Sequence, residues 1–149
     1  MQILFVCTGN VCRSPMAEVI FSNLLKKYGQ KGIRVAGAGT MTIEGLPMTP
    51  TAKKALKHRG WKIGKGIHSR QFRPEMLMQY DHIVTMTEGH KNIIGDAPNV
   101  RTLSSWVGGG DIADPFMGSL EVYLATCVEL EGKLELLLKK LREAKREKT

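Results

Sequence analysis

The chain has few aromatic residues, only three cysteines and no long apolar run. Aromatics make up 6% of the 149 residues and are not interleaved with the basic ones. Base-stacking platforms, and with them a nucleic-acid partner, are therefore not expected. Three cysteines, an odd count, argue against a disulfide framework and suit a reducing compartment, read here as the cytoplasm. Nothing approaches the roughly 20 apolar residues of a spanning helix, so no membrane insertion is expected. The opening MQILFVCTGN has no basic leader and too short an apolar stretch for a signal peptide. Acids are missing between Lys53 and Arg73, where eight Lys and Arg stand, and the stretch from Lys133 to Thr149 carries seven against three Glu. The formal charge of +8 thus favours anionic partners, although the second stretch also reads as a solvated helix end matched to its dipole.

What is present is an ordinary globular composition, 42% apolar and 24% charged, of a size that fits one domain over residues 1–149. Strand-like and helix-like stretches alternate. Gln2–Val6 is a continuous apolar run of the kind buried on both faces of a sheet. Arg34–Ala38, His82–Met86 and Val100–Leu103 follow as strands. The first helix is expected to take Ser14 as N-cap and Pro15 at its first position, with Ala17, Ile20, Phe21, Leu24 and Tyr28 on one face and Gly29 as its stop. Further helices are expected over Thr49–Arg59, Glu88–Ile94 and about Ser119–Lys145, the last with Val122, Leu130, Leu134, Leu137, Leu138 and Leu141 in its stripe. Such alternation predicts an α/β fold, a parallel sheet with helices on both faces.

In such sheets ligands sit beyond the carboxyl ends of the strands. The loop after the first strand reads Cys7-Thr8-Gly9-Asn10-Val11-Cys12-Arg13-Ser14-Pro15. A loop wrapping into a helix N-terminus aims backbone amides at one point, which suits a tetrahedral oxyanion. Gly9 and Asn10 tolerate the positive φ of a tight curl. Arg13 offers a planar fork to two oxygens, and the same positive field favours a thiolate at Cys7. Other uses were weighed. Cys7 would also suit a core position, and Cys7 with Cys12 lacks the spacing and second pair of a zinc site. The loop has one glycine and no lysine, unlike a Walker A motif, and Gly37-Ala38-Gly39 lacks the third glycine of a dinucleotide fingerprint. A Cys–His pair stays open, but His58, His68, His82 and His90 stand in no telling context.

The run VCTGNVCRSPMAE resembles the signature of the low-molecular-weight protein tyrosine phosphatases, near their bacterial arginine phosphatase branch. The resemblance extends through Gly45-Leu46-Pro47-Met48-Thr49-Pro50, Ser69-Arg70-Gln71 and Asp114-Pro115-Phe116. It implies a four-stranded parallel sheet, no metal and no cofactor. It also implies that Cys7 attacks phosphorus, that Arg13 and the amides of Thr8, Gly9, Asn10, Val11 and Cys12 hold the phosphate, and that Asp114 is the general acid. Ser14 would ease the departure of Cys7 as a thiolate, and Cys12 would form a reversible disulfide that shields it. Phe116 and Met41 are expected to wall the substrate pocket.

Two departures from the family stand out, at Gly37 and in the pocket wall, commonly aromatic in eukaryotic members, where Met41 to Glu44 bring no Trp or Tyr; Val11 bears on the choice of phosphoresidue. The family often has Ser where this chain has Gly37, so the network around Asn10 is expected to lose one bond and loosen. Val11 stands where arginine-selective members carry Thr and tyrosine-selective ones Ile. Lacking the hydroxyl, Val11 favours phosphotyrosine over phosphoarginine. Arsenate reductase is disfavoured because the only further cysteine, Cys127, falls on the last helix. A non-catalytic phosphopeptide-binding module would leave Cys7 and Asp114 unexplained. The expected partner is a phosphorylated protein, met by a monomer.

Overall fold

The computed structural model describes residues 1–147. Its framework is a four-stranded sheet of β1 (Gln2–Cys7), β2 (Arg34–Gly39), β3 (His82–Thr85) and β4 (Val100–Thr102), all parallel, in the order β2-β1-β3-β4. The central strand β1 pairs Gln2 to Cys7 with Arg34 to Gly39 on one side, and Ile3 to Val6 with His82 to Thr85 on the other. Six helices connect the strands: α1 (Arg13–Lys27), α2 (Pro50–His58), α3 (Met76–Gln79), α4 (Glu88–Ile94), α5 (Leu103–Val107) and α6 (Leu120–Glu147).

The period-2 alternation of β1 sorts its side chains between two cores. Ile3, Phe5 and Cys7 face a large cluster built with α1, α2 and α6, where Phe5 meets Phe21 edge-on at 5.7 Å. Leu4 and Val6 face the other side, with Ala38, Ile83 and Val100, covered by Met76 and Leu77 of α3 and Ile94 of α4. Helices thus cover both faces, as the alternation predicts. The two short helices α3 and α5 escaped the sequence reading because one turn shows no periodicity.

Three local expectations are corrected. Ser14 is not the N-cap of α1. That place falls to Cys12, without a side-chain bond, and Ser14 lies in the first turn, turned toward the loop. Tyr28 ends α1 half-exposed, its hydroxyl on Glu135, rather than in the stripe. On α6 the buried stripe begins at Tyr123, and Val122 faces solvent, because positions seven and three residues before Leu130 share its face.

The first crossover leaves β1 toward β2, and the chain later returns on the opposite side to β3. The loop after β1 therefore sits at the switch point of the sheet, where a crevice opens beyond the strand ends.

Candidate active site

The loop from Thr8 to Cys12 is shaped by what grips it from outside. The carbonyls of Cys7, Thr8 and Val11 accept from the amides of Thr40, Met41 and Thr49 at 2.9–3.0 Å. In a trans peptide the next N–H points the opposite way from the carbonyl. The amides of Thr8, Gly9 and Cys12 consequently point inward, away from Thr40, Met41 and Thr49. One residue of the loop, Asn10, takes the left-handed conformation (φ 55°), while Gly9 does not need its glycine for φ. The glycine that the curl does need is Gly39, across the sheet. A Cβ there would lie 2.5 Å from the Thr8 carbonyl oxygen and 3.1 Å from the Asn10 nitrogen.

Behind the loop runs a chain of hydrogen bonds ending on sulfur. The Arg70 amide donates to Asn10 Oδ1 (3.0 Å), Asn10 Nδ2 donates to Ser14 Oγ (2.6 Å), and Ser14 Oγ lies 3.0 Å from Cys7 Sγ. Since the Ser14 oxygen accepts from Asn10, its own proton is available to the sulfur. The Ser14 amide also points at Cys7 Sγ, at 3.4 Å. Ser14 thus directs two donors, its hydroxyl and its amide, at one sulfur. Gly37 offers this network no side-chain bond, as expected from the sequence, and the two bonds of Asn10 come from Ser14 and Arg70. Asn10 is bonded at both ends, and a Cβ on Gly37 would meet Asn10 Nδ2 at 2.7 Å and Glu18 Oε2 at 3.2 Å. The glycine makes room for the amide. Beneath it, burial pushes the Glu18 carboxyl up to about 7, against the opposing pull of Arg70 and His68.

Arg13 is buried, yet its fork reaches the cleft. Nη1 donates to the Ile112 carbonyl (2.9 Å), and Nη2 reaches Thr8 Oγ1 (3.4 Å) and Asp114 Oδ2 (3.5 Å). Asp114 is half-exposed, and its other oxygen accepts from the Phe116 amide at 3.1 Å. That turn presents the carboxylate to Arg13 and, beside it, the exposed Phe116 ring. Cys7, Thr8, Gly9, Val11, Cys12, Arg13, Asp114 and Phe116 together line a cleft of about 180 Å³.

Most of the residues read as a site from the sequence are thus gathered here. Asn10 and Ser14 stand behind the lining rather than in it. Met41, expected on the wall, is the exception. Its backbone supports Thr8, but its side chain is 79% exposed and lines no part of the cleft. Cys12 Sγ is held by the Tyr123 hydroxyl (3.3 Å) and Thr49 Oγ1 (3.5 Å), and burial raises its thiol above the ordinary range. Cys127 is buried in the core on α6, its thiol pushed up to about 12 by burial. Among the described residues no group of three or more His, Cys, Asp or Glu stands together to hold a metal ion.

Sequence reasoning missed His90. From α4 its Nε2 lies 2.9 Å from Thr8 Oγ1, a contact 82 residues apart in the chain. Only the pairing of β3 beside β1 brings them together, so no local pattern signals it.

The family model described as low molecular weight phosphotyrosine protein phosphatase matches residues 2–147. A protein-arginine-phosphatase of Geobacillus stearothermophilus is 41% identical over 148 residues, spanning 95% of this chain and 96% of its own. A low molecular weight protein-tyrosine-phosphatase PtpB of Staphylococcus haemolyticus is 35% identical, over 87% of this chain and 92% of its own. Among solved structures, a YwlE arginine phosphatase mutant with a phosphorylated active-site serine superposes with a TM-score of 0.90 and 36% identity, covering 98% of this chain and 99% of its own.

Proposed function

From the premise that the chain belongs to the low molecular weight phosphotyrosine protein phosphatase family and is a phosphatase, we propose that it hydrolyses phosphotyrosine in proteins through a phosphocysteine intermediate. The observation that carries the proposal is the placing of Cys7 Sγ, under two donors from Ser14, in a cleft also lined by Arg13 and Asp114. The inward amides and the Arg13 fork receive the phosphate oxygens. Cys7 attacks phosphorus as a thiolate, the S–P bond forms, and the P–O bond to the tyrosine breaks. Asp114 gives its proton to the departing oxygen. It then takes a proton from water as that water attacks the phosphocysteine, which releases phosphate and restores the thiolate. Rate arises from positioning and from fixed positive charge, the part that Arg13 plays without a metal ion or cofactor. The substrate is a phosphorylated protein, met by a cytoplasmic monomer.

The choice of phosphoresidue rests on Val11 and Phe116, which give the cleft an apolar edge and one aromatic face. An aryl ring uses both. Phosphoarginine is the second reading, and one observation favours it. The Asp114 carboxylate already faces a guanidinium, that of Arg13, and the N–H groups of a phosphoguanidine would offer it similar donors. Two relatives, at 41% and 38% identity, also carry the name protein-arginine-phosphatase. Side-by-side hydrolysis of phosphotyrosine and phosphoarginine peptides tests the choice. Faster phosphotyrosine turnover is expected. A preference of about tenfold for phosphoarginine, worth about 1.4 kcal/mol in the barrier, overturns it.

A further inference from the structure

His90 has a place in the site that the phosphatase chemistry above does not use. Its ring is buried and spans two hydroxyls, Nε2 to Thr8 Oγ1 at 2.9 Å and Nδ1 to Thr87 Oγ1 at 3.0 Å. Thr87 also accepts from the His90 amide as the N-cap of α4, so the imidazole is anchored from its own helix. The Thr8 oxygen that meets His90 also lies 3.4 Å from Arg13 Nη2. A hydroxyl has one proton and two lone pairs. Where Nε2 accepts that proton, the lone pairs of Thr8 are left to face the guanidinium.

Arg13 is oriented by three acceptors: the Ile112 carbonyl, Thr8 Oγ1 and Asp114 Oδ2. Asp114 loses its negative charge whenever it carries the proton for the leaving group. At that stage Asp114 is a weaker acceptor, and the Ile112 carbonyl and Thr8 Oγ1 carry more of the alignment. We propose that His90 is a positioning residue, which holds the Thr8 hydroxyl in the orientation that aligns the Arg13 fork on the phosphate. The proposal rests on the phosphatase reading and deepens it.

The groups facing the ring keep it neutral. Burial lowers its pKa to about 4, and Arg13 on α1 pushes the same way, while Asp111 and Asp114 in the loop before α6 pull weakly against them. A neutral ring carries one proton, and with that proton on Nδ1, directed at Thr87, Nε2 accepts from Thr8. A protonated ring would instead donate into the oxygen that Arg13 uses and add a second cation beside it.

The test is the affinity for inorganic phosphate, titrated calorimetrically at pH 6.5, together with turnover of p-nitrophenyl phosphate. His90→Leu and Thr8→Val are each expected to weaken phosphate about tenfold, and the double variant no further, because both cut the same chain. His90→Gln, whose amide oxygen reaches the place of Nε2, is expected to stay within about threefold of the unsubstituted protein. Unchanged phosphate affinity in His90→Leu, additive losses in the double variant, or no rescue by Gln would each overturn the role. If His90→Leu does not fold, Thr8→Val and His90→Gln decide between the same outcomes. An unsubstituted protein that binds phosphate but does not hydrolyse the aryl ester would overturn the phosphatase reading, while the phosphate titrations still decide the role of His90.

Discussion

The floor of the cleft and its rim are built on different principles. The floor is Cys7 and Arg13 with Asn10 and Ser14 behind them, all buried. Cys7, Ser14 and Asn10 are linked by hydrogen bonds, Arg13 is held by the Ile112 carbonyl and Thr8, and Gly39 backs the loop where a Cβ would strike the Thr8 carbonyl. The rim is Val11, Asp114 and Phe116, with Asp114 and Phe116 exposed and held mainly by the turn they share. A buried, cross-bonded floor holds fixed geometry, which is what an in-line displacement needs. An exposed rim can vary its side chains without disturbing that geometry. Apart from Asp114, the groups proposed for the chemistry lie at depth, and those proposed for substrate choice lie on the rim.

Removing the proposed nucleophile is the severest way to sharpen that contrast. Cys7→Ser should lower turnover by about 10⁴-fold or more while vanadate still binds, since Arg13 and the inward amides remain. Substantial residual turnover would sink covalent catalysis. Asp114→Asn comes next, because it asks whether a rim residue takes part in the reaction. It should slow esters with basic leaving groups by about 10²–10⁴-fold and activated aryl esters far less, since only a basic oxygen needs the proton. Equal losses for both classes would make Asp114 a structural residue.

A third test goes beneath the floor, to Glu18. Its folded pKa of about 7 exceeds the ordinary value of 4.5 because of burial. The unfolded chain therefore ionises first as pH rises. The stability present below pH 4.5 is lost progressively up to about pH 7 and stays lost above it, by about 3 kcal/mol in all. In Glu18→Gln that decline should vanish, as read by urea unfolding at pH 5 and pH 7.5. An identical pH slope in both proteins would show that the carboxyl is not held out of water. The smallest effect belongs to the rim. Val11→Thr should raise phosphoarginine turnover relative to phosphotyrosine by about tenfold without changing phosphate affinity, because a placed hydroxyl discriminates more strongly than one methyl group. If Val11→Thr instead disturbs phosphate binding, rim and floor are not separable.

The legible parts of the site were the contiguous ones. Cys7 through Ser14 carry their strand, curl and helix mouth within eight residues, so local chemistry suffices to read them as an oxyanion loop. Asp114 and Phe116 were found by resemblance, since nothing local ties them to a cysteine a hundred residues earlier. Ser14 was read both as a helix cap and as a partner of Cys7; the second contact is present, and the cap is not, because its hydroxyl is taken up by Asn10 and Cys7. Met41 was expected on the pocket wall from its place after β2, but the chain uses its amide and turns the side chain to solvent.

What the chain's sequence alone determined was the layered α/β plan, from its apolar periods, and the candidate oxyanion loop, from residue types with few other uses in that order. Tertiary structure decided everything that depends on contacts between distant segments. Parallel pairing of β2 and β3 to either side of β1 sets Gly39 against Thr8, the Arg70 amide on Asn10, and His90 on Thr8. These contacts join residues tens of positions apart through short-range forces that act only after the sheet has formed. Periodicity reports which face of an element is buried, but not which neighbour it is buried against.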